Sequence, residues 1–294
     1  MDDWLNEPLP VVRLAFLRIC APLAILGFMS GRLRHIDEWV GDHGFHPPDL
    51  GGDWRQPLYI PPLSPTLAWG LAVVMIAAGL MCAAGMKTRT SGLVFAATLA
   101  FVALADRLAA FTVSKMSPVV ILAIALGPSG SVLGFDAWQK RKGTTRRAKK
   151  RRPLPTLRFL QLLPVVIYSA SGIAKIRGDW LKTSYVLYTQ LHDTYQTAVS
   201  FALAAHLPTW SWPVMQACVL AFEAGAPLWF SLERTRPYAF LFGAGMHVMI
   251  GLMFGPVVWF ALLMLTLLVG GWAPEAWFAR LEVLARGLEE GAED

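Results

Sequence analysis

The 294-residue chain is 55% hydrophobic and only 16% charged, with a mean hydropathy of +0.47, whereas a water-soluble domain carries about a quarter charged residues. That balance excludes a soluble globular protein and predicts lipid around most of the molecule. The net charge of +6 sits largely in one run, 140–152, not on a folded basic face with interleaved aromatics, so nucleic acid is not an expected partner.

In chain order, the first ten residues carry Asp2, Asp3 and Glu7 instead of a basic leader, and no small-residue cleavage motif follows. The first apolar stretch therefore reads as a retained span. A bilayer core about 30 Å thick needs roughly 20 apolar residues per crossing helix. Eight stretches qualify: 10–29, 66–86, 91–111, 118–135, 157–174, 210–232, 237–254 and 256–272. Polar residues, Gly or Pro separate them. The segment 195–207 is too short to cross, and 274–290 alternates apolar and charged residues at helical spacing, so both are expected along the surface. Cys20, Cys82 and Cys218 lie in different apolar stretches with no metal or disulfide spacing, and read as small core residues.

The predicted fold is thus an all-α polytopic bundle of about eight transmembrane helices, a single domain over 1–294. The run KRKGTTRRAKKRR holds nine basic residues and no acid, which places the loop 136–156 in the cytoplasm. Counting spans from it puts both termini and the Glu233/Arg234/Arg236 turn inside. The acid-rich loop 31–65 and the segment 175–209 fall outside, and 274–290 becomes a C-terminal amphipathic helix. A plasma membrane with several passes is the expected location, with lipids as partners.

Ionisable groups at bilayer depth cost at least ~2.5 kcal/mol each, so each one is a candidate for function. Arg13 and Arg18 either snorkel or pair with Glu223. Asp106 and Arg107 are adjacent and suit a local pair. His247, in GAGMHVMIG, suits either a cross-helix hydrogen bond or a proton relay. Lys175 sits where YSASGIAKIRGDW leaves an apolar helix. Partial dehydration there would free its amine as a general base, while the plainer reading is a lysine reaching the headgroups with Asp179 as partner. In the outer loop, Asp42, His43, His46, Asp49 and Asp53 supply metal-ligand types, but such short polar clusters are usually solvated turns, and no metal is expected.

Four pieces together resemble the membrane domain shared by vitamin K-dependent gamma-carboxylases and bacterial HTTM (horizontally transferred transmembrane) proteins. LAFLRICAPLAILGFM is similar to the family's opening helix with its arginine, here Arg18, and GLMCAAGMKTRTSGLVF to its second-to-third helix turn. SASGIAKIRGDWLKTSYVLYTQL resembles its A-G-x-x-K-L-x-x-x-W stretch, and GMHVMIGLMFG its late histidine-bearing helix.

The resemblance implies a catalytic base at Lys175, a late histidine at His247, Trp180 as the stretch's tryptophan, and a reduced quinone such as vitamin K hydroquinone as cofactor. It also implies lyase-class carboxylase or oxygenase chemistry on a peptide or small molecule. Where the carboxylase carries a histidine between its third and fourth helices, this chain has Thr112 to Met116, with Lys115 the nearest polar replacement. Two other classes stay open on sequence: a non-enzymatic membrane partner in peptide maturation or immunity, and a small transporter, although no inverted repeat is visible.

Overall fold

In the computed structural model, which describes residues 4, 6–46, 60–105, 111–141, 151–192 and 195–290, each of the eight apolar stretches contains α-helix. Outside these residues lie Asp49 and Asp53 of the outer loop, the Asp106/Arg107 pair and most of the basic run. The helices are α1 (Val12–Leu33), α2 (Ile36–Trp39), α3 (Pro65–Ala84), α4 (Thr88–Ala105), α5 (Thr112–Leu126), α6 (Phe135–Arg141), α7 (Pro155–Arg177) and α8 (Val186–Gln190). They continue with α9 (Ala198–His206), α10 (Ser211–Ala224), α11 (Ala226–Ser231), α12 (Arg236–Met253), α13 (Val258–Trp272) and α14 (Glu275–Glu290). The strands β1 (Pro8–Pro10) and β2 (Arg151–Pro153) form one antiparallel ribbon, with Pro8 opposite Pro153. Among the described residues the protein is therefore all-α apart from this ribbon and two isolated bridges, Gly41 with Leu63 and Gln196 with Phe254.

Five helices among the described residues are long and apolar enough to cross a membrane: α1, α3, α4, α7 and the segment Gly255–Trp272; α5 is apolar but shorter. Their outward faces are greasy, with Leu67, Val73 and Leu80 exposed on α3 and Val166, Ile173 and Ile176 on α7. Such faces suit lipid and not water. The stretch 210–232, expected as one span, is two helices broken at Gly225. Pro227 lacks the N–H that would bond the Glu223 carbonyl and continue the ladder, while the Ala221 carbonyl accepts both the Gly225 N–H at 3.0 Å and the Trp229 indole N–H at 3.1 Å.

By contacts the chain gathers into two compact units, Met1–Leu157 with Phe278–Asp294, and Arg158–Trp277. In the first, α1, α3, α4 and α5 pack through small residues. A Cβ on Gly79 would meet Leu26 and Phe95 at 3.0–3.1 Å, and one on Gly92 would meet the Ala125 Cβ at 2.7 Å. Helix α3 starts at Pro65 and stops at Gly85, whose φ of +72° and whose bonds from its own N–H and from the Met86 N–H back to Cys82 and Met81 make a left-handed cap.

Arg18 is fully buried. Its guanidinium lies against Gly85 and Gly134 and donates to the Leu133 carbonyl. Arg32 donates to Ser114 at 3.0 Å, and the Arg13 guanidinium carbon lies 4.5 Å from the centre of the Phe278 ring.

Asp136 caps the start of α4. It accepts from the Lys87 and Thr88 N–H groups, each at 2.8 Å, and from the Thr88 hydroxyl at 3.0 Å. Burial works to raise its carboxyl, but these bonds together with Lys140 outweigh burial and hold it below its ordinary 3.8. Within this unit the 85–88 turn therefore meets the 133–136 turn, and the ribbon ties the N-terminal strand to 151–153. All four are segments that the charge pattern assigns to one side.

In the outer loop, His43 lies 3.5 Å from Asp37 and 3.9 Å from Asp42, largely in solvent. His46 hydrogen-bonds to the Gly41 carbonyl.

Candidate functional site

The second unit carries the most unusual chemistry. Lys175, in the last turn of α7, places its Nζ 2.5 Å from Glu223 Oε2 on α10, and donates to Ser171 Oγ at 2.6 Å. The two charged side chains are 20% and 9% exposed, so opposite charges here share a site mostly closed to solvent. Two residues make this meeting possible. Ser171 stands four positions before Lys175, one helical turn away on the same face. Gly172 lets the helices close up, since a Cβ there would meet the Ala224 backbone nitrogen at 2.5 Å and its Cα at 2.8 Å. A lysine ammonium has three donors; two are used, and the Trp180 ring, 5.0 Å from Nζ, borders the third.

Trp180 is held by a residue that sequence reasoning missed. Gln216, buried on α10, donates to the carbonyls of Trp180 (2.8 Å) and Thr183 (2.7 Å), while its Oε1 accepts from the Leu187 N–H at 3.3 Å. One side chain thereby ties down the 178–187 turn. Beyond it, Leu191, Trp212 and Met253 form a small core under α8 and α9, and Tyr188 packs edge-on to Trp212. Thr197 and Ser200 cap α9 reciprocally. The described residues of 175–206 thus lie folded against the ends of α10 and α12.

One turn deeper than Ser171, Tyr168 meets His247 of α12, with Oη and Nε2 2.8 Å apart. Both are almost fully buried. Phe222 and Phe230 pack around Tyr168, and Phe260 stands edge-on to His247. Gly243, one turn before His247, clears the space, as a Cβ would meet Phe222 at 3.1 Å and the Tyr168 hydroxyl at 3.6 Å. The other imidazole nitrogen, Nδ1, is buried with no hydrogen-bond partner among the described residues. Tyr168, Ser171 and Lys175 occupy one face of α7 at spacings of three and four, a signal legible in YSASGIAK.

The remaining sequence candidates are distributed as follows. Glu223, set against Arg13 or Arg18 from sequence, has Lys175 as its partner, and Arg18 is taken by the Leu133 carbonyl. Asp179, considered for Lys175, pairs with Lys182 at 3.1 Å in solvent. Lys115 belongs to the first unit and is exposed on the first turn of α5.

With this geometry in view, comparison with known proteins gives one finding. The family model described as HTTM domain matches residues 6–272, and so covers Lys175, Glu223, Tyr168 and His247. No curated protein and no solved structure matches the chain.

Proposed function

The chain belongs to the HTTM domain family, and from that premise we propose that this multi-pass membrane protein is an enzyme whose base is the Lys175–Glu223 couple. Eight crossings, both termini cytoplasmic and the 175–209 segment outside complete the reading, and put the couple at the outer mouth of the bundle. The observation that carries it is the 2.5 Å ion pair, braced by Ser171 and bordered by Trp180, inside a helix bundle. An ionisable pair at this depth is costly to maintain, and an exposed lysine, Lys182, already pairs with Asp179 in the turn that follows.

On accepting one proton the couple becomes an ammonium beside a neutral carboxylic acid, and the positive charge gained is balanced by the anion left on the group that gave the proton. With Lys175 as ammonium, the carboxylate stores the incoming proton; with the proton shared the other way, the amine does. Ser171 fixes the lysine's direction in both cases. The third N–H of Lys175 and the Trp180 ring 5.0 Å from its Nζ would suit the phenolic oxygen and flat ring of a reduced quinone such as vitamin K hydroquinone, which the resemblance to the gamma-carboxylase domain implies. Lys175 and the Trp180 ring would hold it. When bound, such a molecule supplies an acidic phenolic proton and reducing electrons for carboxylase- or oxygenase-like, lyase-class chemistry on a peptide or small-molecule substrate. Gln216 keeps Trp180 in place, and the aromatic packing around Tyr168 keeps water from the inner side of the couple.

The test uses the full chain in lipid nanodiscs with vitamin K hydroquinone, following its oxygen-dependent consumption. Loss of a general base lowers such a rate by about 10²–10⁴-fold, and that is the result expected for Lys175→Ala protein that inserts and purifies normally. Unchanged consumption in that variant ends the proposal.

A second reading draws on the same pair. Two helices brought together at Gly172 are also pinned by it, as suits a non-enzymatic membrane partner in peptide maturation or immunity. Full biological function in Lys175→Arg would select this reading.

A further inference from the structure

At the other end of α12 from this site, the second unit holds a half-enclosed cavity of about 340 Å³, lined by Glu233, Arg236, Phe240, Trp272 and Trp277 among others. We propose that it seats the headgroup of an ethanolamine phospholipid from the surrounding bilayer. The proposal is independent of the chemistry at Lys175.

Both signs of charge border the one cavity. Glu233 makes no hydrogen bond or ion pair among the described residues, so its carboxylate is available. Arg236 spends Nε on the Phe230 carbonyl at 3.2 Å and Nη2 on that of Ser231 at 3.4 Å. A guanidinium has five N–H donors, and those not committed to the carbonyls suit a phosphate.

The aromatic lining selects the other half of the headgroup. Trp272 is fixed by its indole N–H donating to the Gln161 carbonyl at 3.0 Å, and its ring lies 5.5 Å from the Arg236 guanidinium carbon. Trp277 stands edge-on to buried Phe240 and is 55% exposed, leaving ring surface for a ligand cation. A primary ammonium donates N–H bonds to Glu233, which a trimethylammonium cannot do. The choice of a lipid over a soluble phosphodiester comes from Leu241, which lines the cavity and is itself 60% exposed. The pocket thus opens onto the apolar face of α12, where acyl chains lie, and paired tryptophans mark the interface depth at which headgroups sit.

The experiment is native mass spectrometry of the full chain in detergent, offered equal amounts of phosphatidylethanolamine, phosphatidylcholine and phosphatidylglycerol with identical acyl chains. The ethanolamine lipid is expected to be retained preferentially. Trp277→Ala should reduce its retention about two- to fivefold. Glu233→Gln should remove the preference over phosphatidylcholine, and Glu233→Asp should keep it. Equal retention of all three lipids, or an unaltered preference in both Trp277→Ala and Glu233→Gln, overturns the proposal. Displacement of the lipid by an equal concentration of free phosphoethanolamine also overturns it, and assigns the pocket to a soluble ligand.

Discussion

Lys175 and Glu223 are separated by 48 positions in sequence and by 2.5 Å in space. Cost picked out each of them in the sequence, since a charge in an apolar run has to be compensated, but nothing in a single sequence says which charge compensates which. Ser171, Tyr168 and Gln216 escaped notice for a different reason: uncharged polar side chains cost less in an apolar helix and do not stand out, although 168, 171 and 175 share a face, as do 216 and 223. Removing one member of the couple leaves the other charge mostly buried. Glu223→Gln should therefore lose about 2–4 kcal/mol in detergent unfolding. Replacing both, with Lys175→Met and Glu223→Leu, should recover much of that stability and none of the activity. Thermal melts beside quinone consumption separate the two effects, and a stable, active double variant would refute the couple's catalytic role. For the deeper pair, His247→Leu strands the Tyr168 hydroxyl among aromatic rings, at about 1–3 kcal/mol. Adding Tyr168→Phe should restore part of that loss, measurable as a non-additive double-mutant cycle.

Helix existence was legible almost throughout, because apolar length and Pro/Gly punctuation act locally. The breaks were less so. The stretch 210–232 is long and apolar enough to read as one span, yet Gly225 followed by Pro227 interrupts its hydrogen-bond ladder directly after Glu223. Glycines also differ in ways that composition cannot reveal. At Gly172 a methyl group meets backbone atoms of α10, whereas at Gly245 it meets nothing within 4 Å. Gly172→Ala should push α7 from α10, cost about 1–3 kcal/mol and weaken the ion pair. Gly245→Ala, in α12, should stabilise by about 0.5–1 kcal/mol through helix propensity alone. Melting temperatures of the two variants, moving in opposite directions, check both.

Over the whole molecule, charge asymmetry gave the expected orientation, and single-cysteine labelling from each side tests it: positions in 175–209 should react from outside and positions in 136–156 from inside. Acid sensitivity belongs to this scale too. Because folding depresses the Asp136 carboxyl, its contribution is present above the ordinary 3.8 and is lost as pH falls below that value through the folded one. Asp136→Asn should flatten the acid limb of the stability curve relative to the parent. The placement of Arg18 has a consequence for biosynthesis. Its guanidinium finds its acceptor on Leu133 and its berth beside Gly85 and Gly134, all of which leave the ribosome long after α1. Arg18 stands seven residues into α1, so its cost in lipid stays below the ~2.5–3.5 kcal/mol of a central arginine on insertion scales, but its guanidinium lacks this acceptor until the later turns arrive. The first helix is therefore expected to settle more slowly than the later ones, and fragments truncated before residue 133 should be extracted from the bilayer more readily than fragments that include the 133–136 turn.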